Sequence, residues 1–299
     1  MTTPLPDHLA ALPAAPAREN WSEIDVALVR GHSRLVGSRS VQPLKLLNPR
    51  SNAAACHVVL SSYGGGLLAG DVIRLRVRAR AGTQLFLGSQ ASTKVYRSGG
   101  GAVAEQLTEG EVEAGAAAVV FPDPVVPQAG SRYRQVQHWQ VQPGALLLLA
   151  DWFSAGRTDA GEQFAFDAYH AELRVRRAGH LRVLDRFSFE PAAHIAASPA
   201  NFQQYQTTLS VYLVGTPGEE RFERLGAALL ALQMPGRREL HFHLPAHACA
   251  LTVVPAREDV YVLRAAARRR LDLQPLLAAL MQLVAAEDVL GYNPWERKY

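Results

Sequence analysis

After Val72, the stretch Ile73-Arg74-Leu75-Arg76-Val77-Arg78-Ala79-Arg80 alternates aliphatic and guanidinium side chains without a break. Period-two alternation puts Ile73, Leu75, Val77 and Ala79 on one face of a strand and the four arginines on the other. One face belongs to a core and the other to water. Ala81-Gly82-Thr83 then reads as a turn, and Gln84-Leu85-Phe86-Leu87 opens the next strand. Working outward, similar strand-like segments lie at 23–29, 56–60, 119–121, 133–141 and 146–149. A hairpin is read at 171–177 and 181–189, around Ala178-Gly179-His180. Further strands follow at 207–214, 239–244, 250–254 and 260–265.

Two segments carry a helical rhythm instead. Phe222, Leu225, Leu229 and Leu232 recur at three- and four-residue spacing over 219–233, with Pro235-Gly236 as the stop. Leu276, Leu277, Leu280, Leu283 and Val284 do the same over 273–286, before Gly291. Many strands and few helices predict a mainly β fold, with one of the helices near the C-terminus. No break in composition marks a boundary, so the expectation is a loose Ala/Pro-rich tail over 1–20 and a single domain over 21–299. No internal repeat is evident, and periodicity alone does not argue for a solenoid.

The 299 residues are 48% hydrophobic and 19% charged, the balance of a globular chain long enough to bury a large core. The net charge of +4 is spread over alternate strand positions, not gathered in an aromatic-rich stripe, which argues against a nucleic-acid partner. Cys56 and Cys249 make no disulfide framework and fit a reducing compartment. The N-terminus lacks a signal-peptide pattern, and no window reaches the ~18 apolar residues of a membrane span. These features predict a cytoplasmic protein with no membrane partner.

The Gly-rich stretch Gly64-Gly65-Gly66-Leu67-Leu68-Ala69-Gly70-Asp71 is no phosphate cradle, because Asp71 stands where the lysine belongs and a strand follows. A tight turn explains the glycines, though the Asp71 carboxylate is also a hard donor for a divalent ion. Downstream, Gln90-Ala91-Ser92-Thr93-Lys94-Val95-Tyr96-Arg97-Ser98 packs polar residues between apolar strands. A third block runs from Leu149-Ala150-Asp151-Trp152-Phe153-Ser154-Ala155-Gly156-Arg157 to Gly161-Glu162-Gln163-Phe164-Ala165-Phe166-Asp167-Ala168-Tyr169.

In order and spacing these blocks resemble the signature regions of the UreD family of urease accessory proteins, also written UreH. Cys56-His57-Val58 is similar to that family's strand before the Gly-rich turn. The resemblance runs from about Glu23 to Pro191 and thins towards the C-terminus. It implies a β-helix-like, stacked-sheet fold with a few helices. It also implies a non-enzymatic scaffold that binds a UreF-like accessory protein, reaches a UreG-like GTPase through it, and docks on apo-urease. Nickel would pass transiently along a polar interior route, with no tightly bound cofactor. On that reading Asp71, Ser92, Thr93, Lys94, Tyr96, Arg97, Asp151, Gly156, Arg157, Glu162 and Asp167 lie near the route or a partner interface, and Asp71→Ala should lower urease activation.

Three other readings stay open. His241 and His243 share a strand face, with His247 and Cys249 close behind, a donor set suited to nickel or zinc, though two histidines on a half-exposed strand explain the pattern as well. Asp151, Glu162 and Asp167 are candidate carboxylates of a β-rich glycoside hydrolase, but no G-x-S-x-G or HExxH motif accompanies them. A β-sandwich adaptor unrelated to urease would share the strands but not the ordered blocks. The tail 291–299, with Tyr292 and Trp295, is either a partner anchor or folded onto the core.

Overall fold

A computed structural model describes residues 20–49, 53–198, 201–232 and 248–297. In chain order its strands are β1 (Ser22–Val29), β2 (His32–Arg39), β3 (Leu44–Leu47), β4 (Cys56–Ser62), β5 (Val72–Ala79), β6 (Gln84–Ser89), β7 (Thr93–Val95), β8 (Ala104–Val112) and β9 (Ala117–Phe121). They continue as β10 (Val125–Pro127), β11 (Arg132–Val141), β12 (Leu146–Ser154), β13 (Ala168–Arg177), β14 (His180–Phe189), β15 (Thr207–Val214), β16 (Cys249–Arg257) and β17 (Val260–Ala267). The helices are α1 (Glu220–Ala231) and α2 (Gln274–Val284). The strand read at 239–244 and the tail over 1–19 lie outside the described residues.

The turn after β5 does not make a hairpin. It carries the chain from one sheet to the other, and the same step recurs from β8 to β9 and from β11 to β12. Strands one coil apart pair in parallel: β5 with β8 and β8 with β11 in the first sheet, β6 with β9 and β9 with β12 in the second. The result is a stacked-coil, solenoid-like sandwich with the strand orders β14-β13-β11-β8-β5-β1-β2 and β16-β17-β15-β12-β9-β6-β4-β3. Antiparallel hairpins finish the ends.

The coil repeat survives in the sequence only at its turns. Arg80-Ala81-Gly82-Thr83, Glu113-Ala114-Gly115-Ala116 and Gln142-Pro143-Gly144-Ala145 each close with a bond from the fourth N–H to the first carbonyl, at 3.1, 3.0 and 3.1 Å. Each third residue is a glycine with φ of 69°, 73° or 74°, the conformation a type II turn requires at that place. The turns also stack, Gly82 N–H donating to Ala114 and Gly115 N–H to Gly144. Three small turns about thirty residues apart are too faint a period to read without the coils.

Sheet chemistry follows the coil. In β5, Ile73, Leu75, Val77 and Ala79 are buried between the sheets. Outside, Arg76 meets Glu109 at 2.9 Å and Arg78 meets Glu113 at 2.6 Å, so these arginines form a solvated ladder. The second sheet is covered on both faces. Leu147, Leu149 and Phe153 of β12 face the inter-sheet core, while Leu146, Leu148, Ala150 and Trp152 face a third layer made by α1, α2 and the C-terminal segment. That double burial explains an apolar run with no alternation. Tyr292 and Trp295 pack against the third layer, and the Tyr292 hydroxyl lies 2.8 Å from His57 Nδ1, so this part of the tail folds back onto the molecule.

Candidate functional site: a polar passage between the sheets

Two adjacent coils break the apolar rule of the interior. In β11 the inward face reads Tyr133, Gln135, Gln137, Trp139, Val141; in β8 it reads Ala104, Gln106, Thr108, Gly110, Val112. Gln106 is in register with Gln135, and Thr108 with Gln137. Gln137 and Thr108 are 8% and 5% exposed. Amides and hydroxyls at core positions need partners or a polar space. Here they face a cavity of about 40 Å³, bounded on the second-sheet side by Asp123, Asp151 and Trp152.

This central cavity adjoins two larger ones. A cavity of about 190 Å³ between the β4 end and the 89–93 loop shares Leu60, Thr93, Gln106 and Pro122 with it. A cavity of about 420 Å³ between β14 and β16 shares Asp151 and Trp152. Together they follow the stacking axis, from strands β3–β8 at one end to β12–β17 at the other. A fourth pocket, about 230 Å³, lies under α2 and touches the central cavity through Pro122, Asp123 and Trp152.

Asp151 sits where the central and far cavities meet. Its Oδ1 accepts a bond from Gln135 Nε2 at 3.0 Å, and Gln135 Oε1 accepts from the Tyr133 hydroxyl at 3.1 Å. Burial pushes the Asp151 carboxyl up to about 6, the Gln135 bond pulls the other way, and the charge of Asp185 adds to the rise. Burial likewise raises Tyr133, Tyr169 and Tyr212 above the ordinary phenol range. In the far cavity Asp185 accepts from the Tyr212 hydroxyl and pairs with Arg264 at 2.8 Å. Asp123 holds the β9–β10 link by a reciprocal pair: Ser89 Oγ donates to its Oδ2 at 2.9 Å, and its own N–H donates to Ser89 Oγ at 2.6 Å.

The residues singled out from sequence separate into groups. Ser92 and Thr93 line the near cavity, and Thr93 reaches the central one. Asp71 lines none of the four spaces; its carboxylate accepts from the Leu68 N–H at 2.7 Å and locks the Gly-rich turn. Lys94 and Arg97 are exposed, and the Tyr96 hydroxyl donates to the Gly64 carbonyl at 3.3 Å. Arg157 clasps Glu162 Oε2 at 2.6 Å, Glu162 Oε1 accepts from the Ala129 N–H at 2.7 Å, and Gly156 lies against that carboxylate at φ 137°. This staple ties two loops together. Asp167 pairs with Arg132 at the surface, at 3.4 Å. Of Asp151, Glu162 and Asp167, only Asp151 lines any of these four cavities, and the other two carboxylates are taken up by arginines.

His241, His243 and His247 lie outside the described residues. Cys249 begins β16, where burial raises its thiol pKa. Among the described residues no group of three His, Cys, Asp or Glu side chains is placed to hold a metal ion. None of the described helices is long and apolar enough to cross a membrane. Sequence reasoning missed Asp123, Gln106, Thr108, Gln135 and Gln137. The signal was present in β11, where two glutamines share the parity of Tyr133 and Trp139.

The comparisons with known proteins agree with the signature blocks. The model of the family described as UreD urease accessory protein matches residues 21–298. A Cytophaga hutchinsonii protein named urease accessory protein UreD is 34% identical over 92% of this chain and 96% of its own length. One from Sorangium cellulosum with the same name is 35% identical over 93% of this chain and 83% of its own length. The rice protein named urease accessory protein D (Oryza sativa subsp. japonica) is 31% identical over 68% of this chain and 66% of its own. From the signature blocks through the C-terminal helix, this chain belongs to the UreD family of urease accessory proteins.

Proposed function

We propose that this chain is the scaffold and nickel conduit of urease maturation. In this reading it works in the cytoplasm, binds a UreF-like accessory protein and through it a UreG-like GTPase, and docks on apo-urease. It binds and positions, and it catalyses nothing itself. The observation that carries the conduit is the end-to-end run of three cavities along the coil axis, with the Asp151 carboxylate at one joint. A thiolate and imidazole cage would hold nickel too tightly to release it, whereas carboxylate, amide and hydroxyl oxygens bind it weakly enough for onward transfer.

The test is co-expression of the tagged chain with its UreF-like and UreG-like partners and apo-urease, followed by capture, sizing, nickel analysis and urease assay. Wild type and Asp151→Leu are expected to assemble alike, with Asp151→Leu lowering urease activation by about tenfold or more. Full activation by an assembled Asp151→Leu complex would remove the conduit. A wild-type chain that captures neither partner would remove the scaffold.

A further inference from the structure

We propose that the cavity beneath α2 binds a small aromatic carboxylate of one or two rings, with the rings inside and the carboxylate on Arg270. The site lies on the outer side of the second sheet, away from the space between the sheets, and does not rest on the conduit reading.

The sheet shapes it first. On the face that the helices cover, β4 contributes His57, β6 Phe86 and Gly88, β9 Phe121 and β12 Trp152. Gly88 is in register with Phe121, and the Phe86 ring lies where a side chain would otherwise stand, 2.7 Å from the place of a Cβ. Leu277 of α2 and Trp295 of the C-terminal segment close the opposite side, leaving about 230 Å³. Packed interiors leave few voids larger than a water molecule, and an apolar cavity of about 150 Å³ is already enough to take up benzene. Phe86, Phe121 and Trp152 keep 7%, 8% and 6% of their surface open, whereas Leu146 and Leu148 on the same face keep 0% and 1%. The difference matches ring surface turned to the cavity.

Polarity then sets the orientation. Trp152 Nε1 donates to the Pro122 carbonyl at 2.7 Å, His57 Nδ1 lies 2.8 Å from the Tyr292 hydroxyl, and the Asp123 carboxylate accepts from Ser89. With those polar groups engaged, the inner wall offers ring faces to an apolar body, and Asp123 repels a second carboxylate placed near it. Arg270 is different. It is exposed, lines the cavity, and makes no hydrogen bond or ion pair among the described residues. Its neighbours are used: Arg268 donates to Gln204, and Arg269 pairs with Asp272 at 2.8 Å. A free guanidinium fork is matched by a carboxylate that takes two parallel hydrogen bonds. The aromatic wall is matched by a planar ring, through offset or edge-to-face contacts that an acyl chain does not make.

The probe is 2-naphthoate, with neutral 2-naphthamide as its counterpart in shape. Binding of each to the purified full-length chain is measured by isothermal titration calorimetry and saturation-transfer NMR. One equivalent of naphthoate is expected, held about tenfold more tightly than naphthamide. Arg270→Gln should erase that preference. Leu47→Trp, at the half-buried rim, should fill the space and abolish binding of both. Arg269→Gln should change nothing. Circular dichroism and thermal unfolding confirm that each variant is folded, and the exposed Arg270→Gln substitution carries the test if Leu47→Trp is not. Equal naphthoate binding by wild type and folded Arg270→Gln, or no saturable binding to wild type at millimolar concentration, would overturn the site. Should the chain take up no naphthoate while folded Leu47→Trp no longer captures the UreF-like protein, the cavity receives a partner side chain and the ligand site falls. Neither readout depends on urease activation, so the conduit stands or falls separately.

Discussion

Asp151 is held by one amide bond in a space that disfavours its charge, and this has a consequence for stability. The folded carboxyl titrates near 6, above its ordinary value of 3.8. A raised carboxyl pKa means the folded state binds more protons than the unfolded state between those values, so stability from this group is complete below pH 4 and lost as pH rises through 6. Asp151→Asn, which can still accept from Gln135, should therefore stabilise the metal-free protein by about 3 kcal/mol at pH 7.5, with the gain fading to nothing near pH 4. Urea unfolding in the presence of a chelator measures it, and a pH-independent difference would refute it. At this scale the sequence was only partly legible. Asp151, Ser92 and Thr93 of the signature blocks line cavities, whereas Glu162, Asp71 and Arg157 of the same blocks make loop contacts. A motif marks where a carboxylate is needed without saying whether it faces a cavity or a backbone N–H.

Elements tell a different story, because period carries further than chemistry. β5, β15 and both helices were legible within a few residues, since each keeps one face apolar. The hairpin at 171–189 closes with Ala178 and Gly179 at φ 47° and 80°, the two positive values a two-residue turn of this kind needs. β8 escaped notice for a physical reason. Its inward residues are Gln106, Thr108 and Gly110, two lining the cavity and one making room for Trp139 of the next coil. A methyl group on Gly110 would lie 2.0 Å from the Trp139 ring. Gly110→Ala should therefore cost about 2 kcal/mol in urea unfolding, with most of it recovered when Trp139→Leu is added. No recovery in that double variant would show that the strand backbone, not the ring, resists the change. β7 and β10, three residues each, are too short to carry any period.

Seen whole, the molecule is three layers in which the middle sheet is sealed on both sides while the first sheet shows water an Arg–Glu ladder. Exposed ion pairs of this kind contribute under ~1 kcal/mol each, whereas a buried leucine truncated to alanine costs about 3 kcal/mol. Leu148→Ala, between the second sheet and the helices, should thus destabilise far more than Arg76→Gln, and only the Arg76 effect should shrink in molar salt. Thermal unfolding at two ionic strengths decides it; equal losses would mean that the ladder holds the coils in register. The coils themselves set a scale of length. Every strand added to either sheet advances the stack by ~4.8 Å, and the three cavities lie along that advance. The length of that run of cavities is therefore counted in whole coils, and a relative with one turn of the Gly82, Gly115, Gly144 series more or fewer would have it lengthened or shortened by one such step, like a ruler cut at a different mark.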